Sequence, residues 1–126
     1  MNENYSVSSE SVSYDNLFVT GSGFPVVIDY VTIASGHNYA RGTVLGIVTA
    51  SGKAVAVDSS KNTGEESVYA ILANDTDATS ADIAAPVYLT GEYNKAALTF
   101  GGTDTATTHQ VALRKIGIFV KSAQPA

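Results

Sequence analysis

Thr43-Val44-Leu45-Gly46-Ile47-Val48-Thr49-Ala50-Ser51-Gly52-Lys53-Ala54-Val55-Ala56-Val57 is a pair of apolar, largely β-branched runs joined by Ala50-Ser51-Gly52. Runs of this kind around a glycine-containing turn read as a β-hairpin. The hairpin sets the expectation for the rest of the chain: short strands, tight turns, and a core supplied by side chains that alternate along extended backbone.

Upstream of it, Phe24-Pro25-Val26-Val27-Ile28-Asp29-Tyr30-Val31-Thr32-Ile33 is β-branched and aromatic on both faces, with Pro25 at its beginning, and predicts a well-buried strand. Ser35-Gly36-His37-Asn38 supplies turn chemistry. Downstream, Asp58 to Glu66 is a polar loop, Ser67 to Ala73 returns to a strand, and Asn74 to Asp82 turns again. Ala85 to Tyr93 reads as the next strand, with Gly91 at a bulge or close approach. Asn94 to Phe100 reads as a short helical turn. Beyond Gly101-Gly102, Asp104 can cap a helix whose Ala106, Leu113 and Ile116 lie near one face. Gly117 stops that helix, and Ile118-Phe119-Val120 is a closing strand.

The chain has 126 residues, 44% of them hydrophobic and only 15% charged, with no cysteine and a formal charge of −5. That length suits one domain with one core, and that palette excludes both a disordered chain and a charged helical bundle. The expected fold class is mainly β with a minor α+β character: a compact β-rich single domain with one or two short helices and a flexible N-terminal arm. Five Lys and two Arg, clustered nowhere beyond Arg114-Lys115, leave no footprint for a phosphate backbone, so no nucleic-acid partner is expected. No apolar run approaches the ~20 residues of a membrane-spanning helix, and Met1-Asn2-Glu3-Asn4 is unlike a secretory leader, so a membrane partner is not expected and synthesis in the cytoplasm is. Without cysteine, stability must come from packing or assembly.

The chemistry-bearing residues favour structural roles. Asp75, Asp77 and Thr79 imitate the opening of a calcium loop, but Ser80 stands where such a loop needs Gly and Pro86 where it needs a bidentate Glu. Turn capping by the Asx side chains is the simpler role. His37 and His109 lack partners at ligand spacing and are expected at the surface. No Gly-x-Ser-x-Gly elbow accompanies the serines, and no Gly-Lys-Ser or Gly-Lys-Thr follows the glycines, so neither an enzyme nor a cofactor is expected. Tyr30, Tyr69 and Tyr88 fall in predicted strands, where half-buried core use is the default; exposed on one face instead, they would suit a carbohydrate-binding module. Gly42 serves a backbone need where a strand begins, and Arg41 either is solvated or reaches a neighbouring subunit.

Residues 1 to 23 differ from all this. They contain no Lys or Arg, three acids and six Ser, too little apolar surface to offset the entropy of ordering, and the Gly21-Ser22-Gly23 triplet reads as a hinge. Tyr5 and Val7, and again Val12 and Tyr14, are two apart, the spacing that puts side chains on one face of an extended strand. The expected organisation is an arm over residues 1–23 and a β-rich domain over residues 24–126.

Several ordered segments carry a resemblance. Ala40-Arg41-Gly42-Thr43-Val44-Leu45-Gly46, Tyr69-Ala70-Ile71-Leu72, Asp77-Ala78-Thr79-Ser80-Ala81-Asp82, Val87-Tyr88-Leu89-Thr90-Gly91-Glu92-Tyr93, Ala97-Leu98-Thr99-Phe100 and Leu113-Arg114-Lys115-Ile116-Gly117-Ile118-Phe119-Val120 together resemble the phage lambda type head decoration proteins over roughly residues 30 to 121. The resemblance implies a virion protein on the outer capsid surface, binding the major capsid protein as a homotrimer at local three-fold axes and cementing the expanded shell. It further implies that the arm adds a strand to the shell protein, for which Tyr5, Val7, Val12, Tyr14, Leu17 and Phe18 are the candidate anchors; the possible subunit contact is Arg41, read from the residue itself. The other readings the sequence leaves open are a tail or fibre module of a virion and the carbohydrate-binding module.

Overall fold

The computed structural model describes residues 17–19 and 23–122. Among the described residues, nine strands, one α-helix and one 3-10 turn follow one another as β1 (Ile28–Ile33), β2 (His37–Tyr39), β3 (Val44–Ile47), β4 (Ala54–Ala56), β5 (Ala70–Leu72), β6 (Thr76–Ala78), β7 (Ile83–Tyr88), β8 (Gly91–Asn94), the turn Lys95–Ala97, α1 (Ala106–Lys115) and β9 (Ile118–Lys121). The β-rich class with a single short α-helix is as the composition predicts.

Five strands close into a barrel in the order β1-β4-β3-β5-β7. The quoted hairpin is its local unit, since β3 and β4 pair antiparallel with Leu45 opposite Ala56 and Ile47 opposite Ala54. Alternation along these strands feeds two cores. Leu45, Ala70 and Leu72 point into the barrel with Ile33, Ala54, Ala85 and Val87. Their neighbours Val44 and Ile71 point outward, where Val57, Leu17, Tyr93, Leu113, Ile118 and Val120 cover them. Burial on both faces explains why β3 and β5 are apolar at consecutive positions.

That outer layer is built by α1 together with β8 and β9, which pair in parallel with Ile118 opposite Gly91 and Val120 opposite Tyr93. β7 and β8 were expected as one strand; the chain instead bends at Leu89-Thr90 and restarts at Gly91, whose φ of +139° is accessible to glycine and strained for other residues. A Cβ at Gly91 would also stand 2.8 Å from the Tyr93 ring. The helix is capped by Thr105, whose N–H donates to Thr108 Oγ1 at 3.1 Å, so Asp104 is released for another task. Ala106, His109 and Leu113 form its buried side, and Ile116 falls outside it.

Two further expectations are corrected. Asn74 to Asp82 is not only turn: Thr76–Ala78 forms β6 and pairs antiparallel with β2, a strand that begins at the predicted turn residue His37. The Phe24 to Ile33 segment is not buried throughout. It becomes strand at Ile28, and only Ile33 is fully enclosed, because β7 covers one edge of β1 while β4 reaches the other edge only at Ile33 opposite Ala54.

Candidate functional site

Of the predicted arm anchors, Tyr5, Val7, Val12 and Tyr14 lie outside the described residues. Leu17 and Phe18 are described, and both sit in the body. Leu17 is buried, and its carbonyl accepts from the Asn94 N–H at 2.7 Å; the Val19 N–H donates to Glu92 O at 3.1 Å. Phe18 forms an antiparallel bridge with Tyr93. Residues 17–19 thus lie along the edge of β8 that β9 leaves open, so these three residues of the expected arm pack on the body.

Aromatic packing fixes that junction. The Phe18 ring meets Tyr88 edge-on at 5.0 Å and lies tilted against Tyr93 at 4.9 Å. Arg41 closes the cluster: its Nε donates to Ala73 O at 2.9 Å, a terminal nitrogen donates to Tyr88 Oη at 3.2 Å, and its guanidinium carbon lies 5.8 Å from the ring centres of both Phe18 and Tyr88. The backbone N–H of Arg41 is held by Asp75 Oδ1 at 2.8 Å. Gly42 permits the approach, since its φ is +95° and a Cβ there would stand 2.6 Å from Ala97 O and 3.4 Å from a Leu17 methyl. Burial pushes the Tyr93 phenol well above its ordinary range, helped by Tyr88 and opposed by Arg41, and the hydroxyl donates to Thr90 O at 2.7 Å.

A second polar cluster ties α1 to the loop after β4. Asp104 accepts from Ser59 N–H (2.6 Å) and Ser59 Oγ–H (2.6 Å), and its Oδ2 stands 2.7 Å from His109 Nε2. His109 was expected at the surface; it is buried, with Phe100 stacked flat against it at 5.7 Å. Serine, aspartate and histidine meet here in the wrong order for nucleophile activation, because the hydroxyl bonds to the carboxylate and not to the imidazole. Burial acts to raise the Asp104 carboxyl, but the hydrogen bonds from Ser59 and His109 together outweigh it and hold the group below its ordinary range.

The remaining candidates serve turns. Asp77 Oδ1 accepts from Thr79 N–H (3.0 Å) and Thr79 Oγ1–H (2.5 Å), the Asx capping the sequence suggests, while Asp75 is engaged by Arg41. Among the described residues no three His, Asp or Glu side chains gather to hold a metal ion, and no helix is long and apolar enough to cross a membrane. The tyrosines diverge: Tyr88 joins the core as expected, whereas Tyr30 and Tyr69 are exposed. His37 stacks on Tyr39 at 5.2 Å, and Tyr39 Oη accepts from Ala56 N–H at 3.0 Å.

The fold and its contacts define a small barrel protein whose best-built side-chain clusters hold its own segments together, at the N-terminal junction and at the helix. Residues 8–119 match the family model of bacteriophage lambda head decoration protein D, and the chain belongs to that family. It is a phage head decoration protein, a structural component of the capsid. No curated protein matches the chain.

Proposed function

We propose that this chain cements a phage head from outside, binding as homotrimers at local three-fold axes of the major capsid protein and stabilising the expanded shell, without catalysis. The observation that carries the proposal is the family match over residues 8–119, which takes in most of the N-terminal segment as well as the barrel. In this reading the arm adds a strand to the shell protein, anchored by Tyr5, Val7, Val12 and Tyr14, through main-chain hydrogen bonds with alternate side chains seated in pockets. Leu17 and Phe18 act as the root of the arm, since their packing against β8 gives strand addition a rigid base.

Three arms on one trimer convert weak individual pairings into firm attachment, because a tethered second contact sees a roughly millimolar effective concentration and gains about a hundredfold or more in avidity. The cytoplasm of the host is the place of synthesis, the outer capsid surface the place of action, and neither nucleic acid nor membrane is a partner. An electron microscopy map of decorated heads tests this directly. Density for the barrel clustered in threes, with the residues before Leu17 extended along a shell strand, is expected; isolated copies, or an arm without shell contact, would overturn it.

A further inference from the structure

Residues 17–19 are held to β8 by a short ladder of their own. Leu17 O accepts from the Asn94 N–H at 2.7 Å and the Val19 N–H donates to Glu92 O at 3.1 Å, one on each side of the Phe18–Tyr93 bridge. Hydrogen bonds of an antiparallel pair lie across the strands. A pull along residues 17–19 therefore strains both bonds at once, whereas a pull across the sheet strains them one after the other. The side chains oppose the same sliding. Leu17 is buried, and the Phe18 ring is set against Tyr88 at 5.0 Å and Tyr93 at 4.9 Å with Arg41 beside it.

The walls of this seat are fixed by bonds that do not involve the segment they hold. Arg41 donates to Ala73 O and Tyr88 Oη, its backbone N–H is met by Asp75, and the Tyr93 hydroxyl donates to Thr90 O. A close-packed wall braced in this way does not give when the Phe18 ring is drawn past it. On its other edge β8 is paired with β9 at all four of its residues, Gly91 to Asn94. The body side of the ladder is thus bonded more extensively than the three-residue side, and under load the three-residue side yields first.

We propose that Leu17-Phe18-Val19 is a load-bearing clasp: tension on the N-terminal residues is taken up as shear between this segment and β8, and the body beneath stays folded. The inference deepens the proposed function and rests on it for the source of the tension, since a chain attached to the shell through its N-terminal residues is pulled along them when the head is strained. The direction of loading follows from the register. The segment runs antiparallel to β8, so Leu17, which carries the covalent link to residues 1–16, lies at the Asn94 end. β9 runs parallel to β8 with Lys121 opposite Asn94, so the C-terminal link lies at that end too. Gly117, whose carbonyl accepts from the Gly91 N–H, lies at the opposite end, two residues from the exposed Lys115.

Single-molecule stretching of the full chain between two cysteine handles tests the clasp, and the chain has no cysteine of its own to interfere. Asn2→Cys with Lys115→Cys pulls along the β8 axis; Asn2→Cys with Ala126→Cys pulls on two links that leave the sheet at one end. In the first geometry a short step is expected before the body unfolds. Release of Leu17 passes the load to Phe24, whose ring is held on Phe119 at 5.0 Å, and lengthens the tether by at most about 25 Å. The rupture force of that step should be about twice the force in the second geometry, because two bonds share the load. Phe18→Ala should lower it. Equal forces in the two geometries, no step before the body unfolds, or a force indifferent to Phe18→Ala overturns the clasp. Those outcomes leave attachment to the head standing, since no shell is present in the measurement. Failure of the full chain to bind expanded heads removes the proposed function and overturns the load-bearing role, whatever forces are measured.

Discussion

The guanidinium carbon of Arg41 lies 5.8 Å from the centre of the Phe18 ring, which binds the first described segment of the chain to a residue at the start of β3. Arg41 simultaneously reaches Ala73 O and Tyr88 Oη, so one side chain joins the N-terminal root, the β5 end and β7.

Removing either partner should loosen the root. Phe18→Ala is expected to cost about 2–4 kcal/mol, and Arg41→Ala about 1–3 kcal/mol, in denaturant unfolding. Arg41→Lys should recover little, since an ammonium cannot reproduce the planar fork that serves two acceptors while facing two rings. A double-mutant cycle on positions 18 and 41 should return a coupling of roughly 0.5–2 kcal/mol; zero coupling would show that the geometry contributes nothing.

Asp104 should make folding acid-sensitive. Its folded carboxyl titrates below the unfolded one, so its contribution is present above the unfolded value of about 4 and is lost as pH falls through the lower folded value. Asp104→Asn is therefore expected to be less stable than the wild type at pH 7, with the gap closing below about pH 4. Melting curves across pH 2.5 to 7 (roughly that span) measure it; a gap that stays constant would show that the carboxylate charge plays no part.

At the alkaline end the sign reverses. The Tyr93 phenol is raised, chiefly by burial, so its contribution is intact below about pH 10 and is lost above it, where the unfolded chain ionises first. Ultraviolet titration should show a tyrosine that ionises only with unfolding, and Tyr93→Phe should remove that late component. Its persistence in the variant would assign it elsewhere.

Gly91→Ala should be among the most damaging small substitutions. A side chain there is forced to φ +139° and placed 2.8 Å from the Tyr93 ring, which in turn is held by Thr90 O and packed on Phe18. A loss of about 2 kcal/mol or more is expected by chemical denaturation. A neutral result would mean that the bend between β7 and β8 relaxes freely.

The β3–β4 hairpin was legible because everything that makes it is local: β-branched runs, a glycine turn and alternation. The β2–β6 pairing was hidden because its partners are far apart in sequence and its residues, His37-Asn38 and Thr76-Asp77, carry turn chemistry. β1 was misjudged for a different reason. Apolar residues on both faces normally mean cover on both faces, but nothing in the chain covers Ile28 and Tyr30 among the described residues. At the N-terminal root the signal was present: Leu17-Phe18-Val19 is the first run of three apolar residues in an otherwise polar segment, and it marks where the body begins. Arg41 gave no such cue, since a lone arginine looks the same in sequence whether it faces a ring or a neighbour.

The most direct measurement compares the full chain with one lacking residues 1–16, which spares Leu17, Phe18 and every described contact of the body. Both are mixed with expanded, undecorated heads and bound protein is quantified. The account predicts an unchanged melting curve for the shortened chain and a loss of binding of about a hundredfold or more. Undiminished binding would contradict it.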